Sequence, residues 1–137
     1  MLRAMRLETL AKRYPAQLSG GQQQRAALAR ILVGKPRILM LDEPFSALDS
    51  YLREEVEGEV GSLLANFVGT ALLVTHDISE AISMSDRVAV LTRRPARVKA
   101  VHDMGPLRGL PPMERRDTPE FHTFFNAIWK ELELHDG

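Results

Sequence analysis

Hydrophobic residues recur every three or four positions in two stretches near the start of the chain. The first covers residues 2–13 and stops before Pro15, because the residue that precedes a proline disfavours the helical conformation. The second covers residues 20–33, with Ser19 placed to cap its first turn and Gly34 directly after its end. The spacing therefore predicts two α-helices in this part of the chain.

Three short apolar runs farther along have the length and composition of strands. They cover residues 38–41, 71–74 and 87–92. A polar helical pattern over residues 50–67, with Ser50 as its predicted cap, separates the first two runs, and a short helix capped by Asp77 separates the last two. Continuous apolar runs are typical of strands that are buried on both faces. The order of strands and helices predicts an α/β fold with a mainly parallel sheet.

The last third of the chain combines a return strand, a loop and a long helix. Residues 97–101 follow a turn at Pro95 and predict an antiparallel partner for the preceding strand, whereas the prolines and glycines of residues 104–112 indicate a loop. The final helix is predicted to begin with Pro119 at its first position. Its apolar face consists of Phe121, Phe124, Phe125, Ile128, Trp129 and Leu132. This spacing favours packing of the helix onto its own domain over the binding of a partner protein.

The composition narrows the class of protein. The chain has 137 residues with 45% hydrophobic content, which is enough for one core. The 18 basic residues equal the 18 acidic ones, so no net charge favours nucleic acid or an anionic membrane as the main partner. Because the chain has no cysteine, disulfides and thiolate–metal sites are excluded. No apolar run approaches the ~20 residues of a membrane-spanning helix, and the first residues do not resemble a secretory signal, which is compatible with a cytoplasmic location.

Two clusters of residues suit the binding of phosphate and of a cation. Ser19, Gly20 and Gly21 stand at a predicted helix start, where unpaired N–H groups and the helix dipole favour an anion. The alternative is that Ser19 only caps the helix. Asp42 and Glu43 end the first apolar strand, where carboxylates are costly to bury unless a cation compensates them. The alternative there is a solvated strand end.

These residues belong to four motifs that occur in a fixed order. The motifs are LSGGQQQR at residues 18–25, LDEP at 41–44, SALD at 46–49 and THD at 75–77. They resemble the signature motif, the Walker B strand, the D-loop and the switch histidine of the ATP-binding-cassette (ABC) ATPases. This resemblance implies part of a P-loop NTPase (RecA-like) core, preceded by part of the helical signature subdomain.

The resemblance implies that two of the motifs act across a dimer interface. In this family the signature loop faces a nucleotide held by the opposite subunit, so Ser19, Gly20, Gly21 and Gln22 would bind the γ-phosphate of ATP. Asp49 of the D-loop would contact the Walker A region of the partner. The alternative for Asp49 is an exposed acidic residue at a helix start.

The other two motifs are implied to carry the hydrolytic chemistry. By resemblance, Asp42 would hold Mg²⁺ through water, and Glu43 would orient and deprotonate the attacking water. His76 would approach the γ-phosphate and sense it. Three further histidines lack such context and are interpreted as surface or packing residues that do not form a metal cluster. They are His102, His122 and His135.

The chain contains no G-x-x-x-x-G-K-[ST] sequence, which is the Walker A loop that cradles phosphate. We therefore expect the C-terminal portion of one nucleotide-binding domain. It would comprise a helical signature region (1–35), a core from Walker B to the switch histidine (36–103), and a loop with a final helix (104–137). Alone, it is expected not to hydrolyse ATP. In the family the Walker A strand lies between those corresponding to residues 71–74 and 87–92, so these two strands should lack a shared neighbour.

The sequence after the D-loop indicates a branch of the family. Residues 70–134 resemble the ATPases of nitrate/sulfonate/taurine-type importers. This implies ATP and Mg²⁺ as cofactors and two protein partners, a second nucleotide-binding domain and a membrane permease subunit. It also implies a peripheral position on the cytoplasmic face of the cell membrane.

Two other classes fit parts of this pattern. One is a catalytically inactive cassette module that pairs with an intact ATPase and offers Ser19 to the nucleotide of its partner. The other is a DNA-repair cassette protein. The second is disfavoured because such proteins usually separate the signature region by long coiled coils, for which the sequence has no pattern.

Overall fold

The computed structural model describes residues 1–3 and 5–133. The chain divides into two compact units, Met1–Val74 and Thr75–Gly137. Within the described residues, no helix has the length and the apolar character needed to cross a membrane.

The first unit contains two helices and two strands, connected by turns. They are α1 (Gly20–Val33), β1 (Ile38–Asp42), α2 (Ser50–Ala65) and β2 (Thr70–Val74), preceded by short 3₁₀ turns at Glu8–Leu10 and Pro15–Gln17. The core of this unit draws on both helices, on β1 and on the segment that follows it. Its fully buried side chains include Leu39, Phe45, Val56 and Val60.

The predicted helix over residues 2–13 is wrong, since the only helical element among residues 5–13 is the 3₁₀ turn at Glu8–Leu10. Met5 and Leu7 are both buried, although residues two apart lie on different faces of a helix. Arg6 between them has a φ of 52°, which is outside the helical region. Its guanidinium forms ion pairs with Glu55 and Glu59 of α2. Tertiary contacts therefore override the local helical spacing.

The first residue of α2 differs from the prediction. Asp49, rather than Ser50, caps the helix, and its carboxylate accepts a hydrogen bond from the Leu52 amide at 3.0 Å. An N-cap residue has an extended backbone, and Asp49 has φ −65° and ψ 161°. The helix ends at Ala65, two residues earlier than predicted.

Strands β1 and β2 pair in parallel, with Ile38 opposite Thr70 and Asp42 opposite Val74. The prediction that these strands are buried on both faces is wrong. Leu39 is 1% exposed, but Met40 next to it is 70% exposed. Successive side chains of a strand point to opposite faces, so within the described residues only one face of this pair is covered.

The second unit contains three helices and two strands. They are α3 (Ile78–Met84), β3 (Arg87–Leu91), β4 (Val98–Asp103), α4 (Pro112–Arg116) and α5 (Pro119–Glu133). Strands β3 and β4 are antiparallel, as predicted for the return strand. Residues 104–112 do not form a continuous loop, because they include a 3₁₀ turn at Gly105–Leu107 and the first residue of α4.

The strands of the two units form separate sheets. In the described part of the chain there are two separate two-stranded sheets, β1–β2 and β3–β4, and only the first is parallel.

The final helix packs onto its own unit, as its spacing predicted. Phe121 and Ile128 are buried in a cluster with residues of α3, β3 and the Gly105–Leu107 turn. Trp129 stacks on Phe125 with ring centroids 6.2 Å apart, yet it remains 48% exposed. Leu132 is 42% exposed, so the last turn of the apolar face is only partly covered.

A buried arginine joins α4 to α3. Arg115 is 8% exposed and donates hydrogen bonds to the carbonyls of Ile82, Ser85 and Leu110 at 3.2, 2.8 and 3.1 Å. Two of these carbonyls belong to the last turn and the C-cap of α3, where a helix leaves acceptors without partners. Burial lowers the pKa of the Arg115 guanidinium.

Candidate functional site

The signature loop forms the N-terminus of α1. Ser19 has an extended backbone and caps the helix, with its hydroxyl accepting a hydrogen bond from the Gln22 amide at 3.2 Å. The Gln22 side chain in turn accepts one from the Ser19 amide at 3.0 Å. This reciprocal pair is a capping box, which satisfies two of the amides left open at a helix start. The helix cap that was the structural alternative for Ser19 is therefore present.

The two glycines of the loop have different surroundings. Gly20 is exposed, and a Cβ atom at this position would meet no atom within 4 Å. At Gly21 a Cβ atom would lie 2.6 Å from Cδ2 of Leu48. Gly21 therefore permits a close approach between α1 and the segment that follows β1, whereas packing within the chain does not require a glycine at position 20.

The acidic pair lies at the carboxyl end of β1. Asp42 is the last residue of the strand, is exposed, and is opposite Val74, the last residue of β2. Because the strands are parallel, their carboxyl ends meet at one edge of the sheet, which is where ligands bind in open α/β sheets. Glu43 follows directly, and its amide donates to the Val74 carbonyl at 2.8 Å. The two acidic residues thus follow one another in the chain at this edge.

The backbone of Glu43 has an unusual conformation. Its φ is 47°, in the left-handed region that residues other than glycine seldom occupy. The Glu43 carbonyl accepts hydrogen bonds from the amide and the hydroxyl of Ser46, at 3.3 and 3.1 Å. It also accepts one from the side-chain amide of Gln24 at 3.2 Å. Strained backbone of this kind persists only where several contacts hold it.

In the second unit, His76 precedes α3 and has an exposed side chain. Hydrogen bonds on both sides fix its backbone. The Asp77 amide donates to the Thr75 hydroxyl at 3.0 Å, and the Asp77 carboxylate caps α3 by accepting from the Glu80 amide at 3.1 Å. This geometry presents an imidazole at the surface from a short, well-anchored turn.

Two of the remaining histidines have local partners. His102 on β4 lies 2.9 Å from the Glu131 carboxylate on α5, and His122 contacts the ring of Phe121 edge-on. His135 lies outside the described residues. Among residues 1–3 and 5–133, no group of three or more histidine, aspartate or glutamate residues is arranged to hold a metal ion.

Gln24 is a site residue that was not predicted from the sequence. Unlike Gln22, it was considered only as part of the motif, although its side chain contacts the backbone of the acidic pair. Helical spacing carries the signal that was missed: Gln24 is three residues after Gly21 and four before Leu28, and it therefore lies on the inner face of α1.

Comparison with known proteins identifies the family. A family model for ABC transporters matches residues 1–46 of the chain, which include the signature loop and both carboxylates.

Curated relatives extend this match. The ABC transporter ATP-binding protein YtlC of Bacillus subtilis is 46% identical over 122 residues, which is 88% of this chain and 47% of that protein. The aliphatic sulfonates import ATP-binding protein SsuB of Bacillus licheniformis is 39% identical over 133 residues, which is 97% of this chain and 51% of that protein. The chain thus spans about half the length of both relatives. The spermidine/putrescine import ATP-binding protein PotA of Trichormus variabilis is 51% identical over 92 residues, or 67% of this chain and 24% of that protein.

A solved structure shows the same architecture. The dimeric post-hydrolysis state of the ATP-binding cassette MJ0796, bound to ADP and Pi, superimposes with a TM-score of 0.62 and 34% identity. The similarity covers 75% of this chain and 45% of that one. The fold is therefore that of a P-loop NTPase cassette. Together with the geometry of the signature loop and of the acidic pair, these similarities show that this chain belongs to the family of ABC transporter ATPases.

Proposed function

We propose that this chain supplies the signature loop, the Walker B carboxylates and the switch histidine of an ATPase that powers solute import. One observation supports this most strongly: Asp42 and Glu43 lie at the shared carboxyl edge of two parallel strands, with the Glu43 backbone bonded to the end of β2. Two adjacent carboxylates at such an edge suit a cation-assisted phosphate reaction.

In this proposal Asp42 holds Mg²⁺ and Glu43 activates the attacking water. The exposed Asp42 carboxylate offers oxygen ligands of the kind that Mg²⁺ prefers, and its exposure leaves room for the waters that this ion retains. When bound, Mg²⁺ neutralises charge on the phosphate oxygens. Glu43 accepts the proton of the water, a role typically worth about 10²–10⁴-fold in rate.

The signature residues bind the phosphate of a nucleotide held elsewhere. The amides of Gly20 and Gly21 lie in the first turn of α1, where the helix dipole favours an anion. Capping by Ser19 is compatible with this role, because the hydroxyl stays exposed and keeps its own proton to donate. Asp49 caps α2 and lies at the surface, where a partner subunit can reach it.

His76 supplies the switch histidine in this proposal. His76 presents an exposed imidazole two residues after the end of β2. In the proposed reaction it donates a hydrogen bond to a γ-phosphate oxygen. The anchored Thr75–Asp77 turn limits the freedom of the ring, which lowers the entropic cost of that contact.

The remaining parts of the site come from outside the 137 residues. A phosphate-binding loop with its lysine, a second nucleotide-binding domain and a membrane permease subunit complete the assembly in this proposal, which places the chain on the cytoplasmic face of a membrane. The relative with the widest coverage of this chain among those compared above is named for aliphatic sulfonates, which supports an importer of the nitrate/sulfonate/taurine type. The polyamine relative matches only 67% of the chain.

A complementation assay tests this function. The 137-residue chain alone should not hydrolyse Mg-ATP, because nothing in it supplies the lysine and the amide nest that stabilise the transferred phosphoryl group. A chimera that joins the full chain to the part of the B. licheniformis SsuB protein it does not cover should hydrolyse Mg-ATP.

Two results would contradict the proposal. Turnover by the pure chain that a Glu43→Gln change removes would show that it contains a complete site. A folded chimera that binds ATP without hydrolysing it would instead favour the inactive cassette module that pairs with an intact ATPase.

A further inference from the structure

The left-handed backbone of Glu43 decides where its carboxylate points. A φ of 47° costs free energy for a residue with a Cβ atom, on the order of 1–3 kcal/mol. Relaxation of this residue to an extended or helical backbone would change the direction of its Cα–Cβ bond and therefore of its side chain. The contacts that hold the backbone of Glu43 therefore also hold its carboxylate.

Those contacts come from two directions. On one side the Glu43 amide donates to the Val74 carbonyl at 2.8 Å, which ties the residue to the sheet. On the other side the Glu43 carbonyl accepts from Ser46, three residues later. The first contact is made with the end of β2, and the second lies within the turn that follows β1.

The third contact comes from α1. The side-chain amide of Gln24, nineteen residues earlier in the chain, donates to the Glu43 carbonyl at 3.2 Å. The carbonyl oxygen of the same side chain is buried and has no hydrogen-bond partner within the described residues. Burying the Gln24 carbonyl oxygen without a hydrogen-bond partner costs free energy. The side chain occupies this position despite that cost, with its amide bonded to Glu43.

Helix α1 and the segment that follows β1 are also close-packed one helical turn before Gln24. Gly21 lies three residues before Gln24, on the same face of the helix, and a Cβ atom there would be 2.6 Å from Leu48. Leu48 is itself 6% exposed. The first two turns of α1 therefore fit against the segment of residues 43–48 at both of its ends.

We infer that Gln24 is a positioning residue for Glu43, through which the signature helix of a subunit sets the direction of the carboxylate in the same subunit. Because Ser19 caps that helix, a nucleotide that shifts the start of α1 also shifts the donor that holds the Glu43 backbone. The contact between Gln24 and Glu43 does not depend on the proposed ATPase function, whereas its effect on hydrolysis rests on that function.

Amide hydrogen exchange on the full 137-residue chain tests the positioning. Gln24→Met keeps the length of the side chain and removes the donor. It should speed exchange of the Glu43 amide by about fivefold to tenfold, as expected for the loss of one supporting hydrogen bond. Exchange at Val60, in the buried part of α2, should change less than about twofold.

Gln23→Met is the matched control. The Gln23 side chain donates to the carbonyls of Pro15 and Leu18, not to Glu43. The same substitution there should leave exchange of the Glu43 amide unchanged. Equal effects of both substitutions on this amide, or no effect of Gln24→Met, would overturn the inference.

The effect of Gln24 on catalysis is measured in the chimera. Gln24→Met should lower kcat for ATP at least about fivefold and leave KM within about twofold, because a misdirected base weakens the reaction and not the binding of substrate. Faster Glu43 exchange with an unchanged kcat would reduce Gln24 to a structural role and overturn the inference. If the unsubstituted chimera is inactive, the proposed function fails, and the exchange experiment still decides whether Gln24 holds Glu43.

Discussion

Glu43→Gln in the chimera is expected to reduce ATP hydrolysis by about 10²–10⁴-fold while ATP binding stays the same. Glutamine keeps the shape of the side chain but accepts a proton far less readily than a carboxylate. The contacts that hold the Glu43 backbone use its amide and carbonyl groups, which this substitution leaves in place. The change therefore removes the proposed base without disturbing the turn.

Steady-state turnover and equilibrium binding of a fluorescent ATP analogue measure the two quantities separately. Glu133→Gln is the control, since it makes the same chemical change at an exposed position near the end of α5. It should alter neither turnover nor binding. Equal loss of binding and hydrolysis in the Glu43 variant would assign Glu43 to the structure of the site instead of to the reaction.

Arg115→Met is expected to lower the free energy of unfolding of the second unit by about 2–4 kcal/mol. The substitution removes the donor of three hydrogen bonds and leaves the carbonyls of Ile82, Ser85 and Leu110 without it. Leaving a buried acceptor without its donor costs more free energy than the formed hydrogen bond contributes. The loss of stability should therefore exceed that expected for removing a surface arginine.

Urea unfolding followed by the emission of Trp129, which lies in α5 of the same unit, measures the change. Arg108→Met is the matched control, because the Arg108 side chain is 62% exposed and its nearest carboxylate oxygens are 3.6 and 4.0 Å away. Exposed ion pairs of this kind contribute about 0–1 kcal/mol. A similar shift in both variants would show that the buried contacts of Arg115 do not stabilise the unit.

The local elements of this chain follow closely from its sequence. Helix α1 begins after Ser19 as predicted, because a hydroxyl that caps an amide three residues later is a short-range interaction. The antiparallel return after Pro95 is equally local. The segment of residues 2–13 shows the limit of such reasoning, since Arg6 leaves the helical region to pair with glutamates of α2 about fifty residues away.

The burial of the strands shows the same limit. An apolar run predicts a strand, but it does not show how many of its faces are covered. Met40 is as apolar as its neighbour Leu39 and yet is 70% exposed, because coverage depends on what else lies against the sheet.

By itself, the sequence determined the family, the order of the motifs and the identity of the acidic pair, because these depend on residue types at fixed spacings along the chain. Only the tertiary structure decided that the Glu43 backbone is left-handed and that Gln24 holds it. It also decided that Arg115 is buried against α3. A hydrogen bond between residues nineteen or thirty positions apart depends on how helices and strands pack in space, and local patterns of hydrophobic and polar residues do not specify that packing.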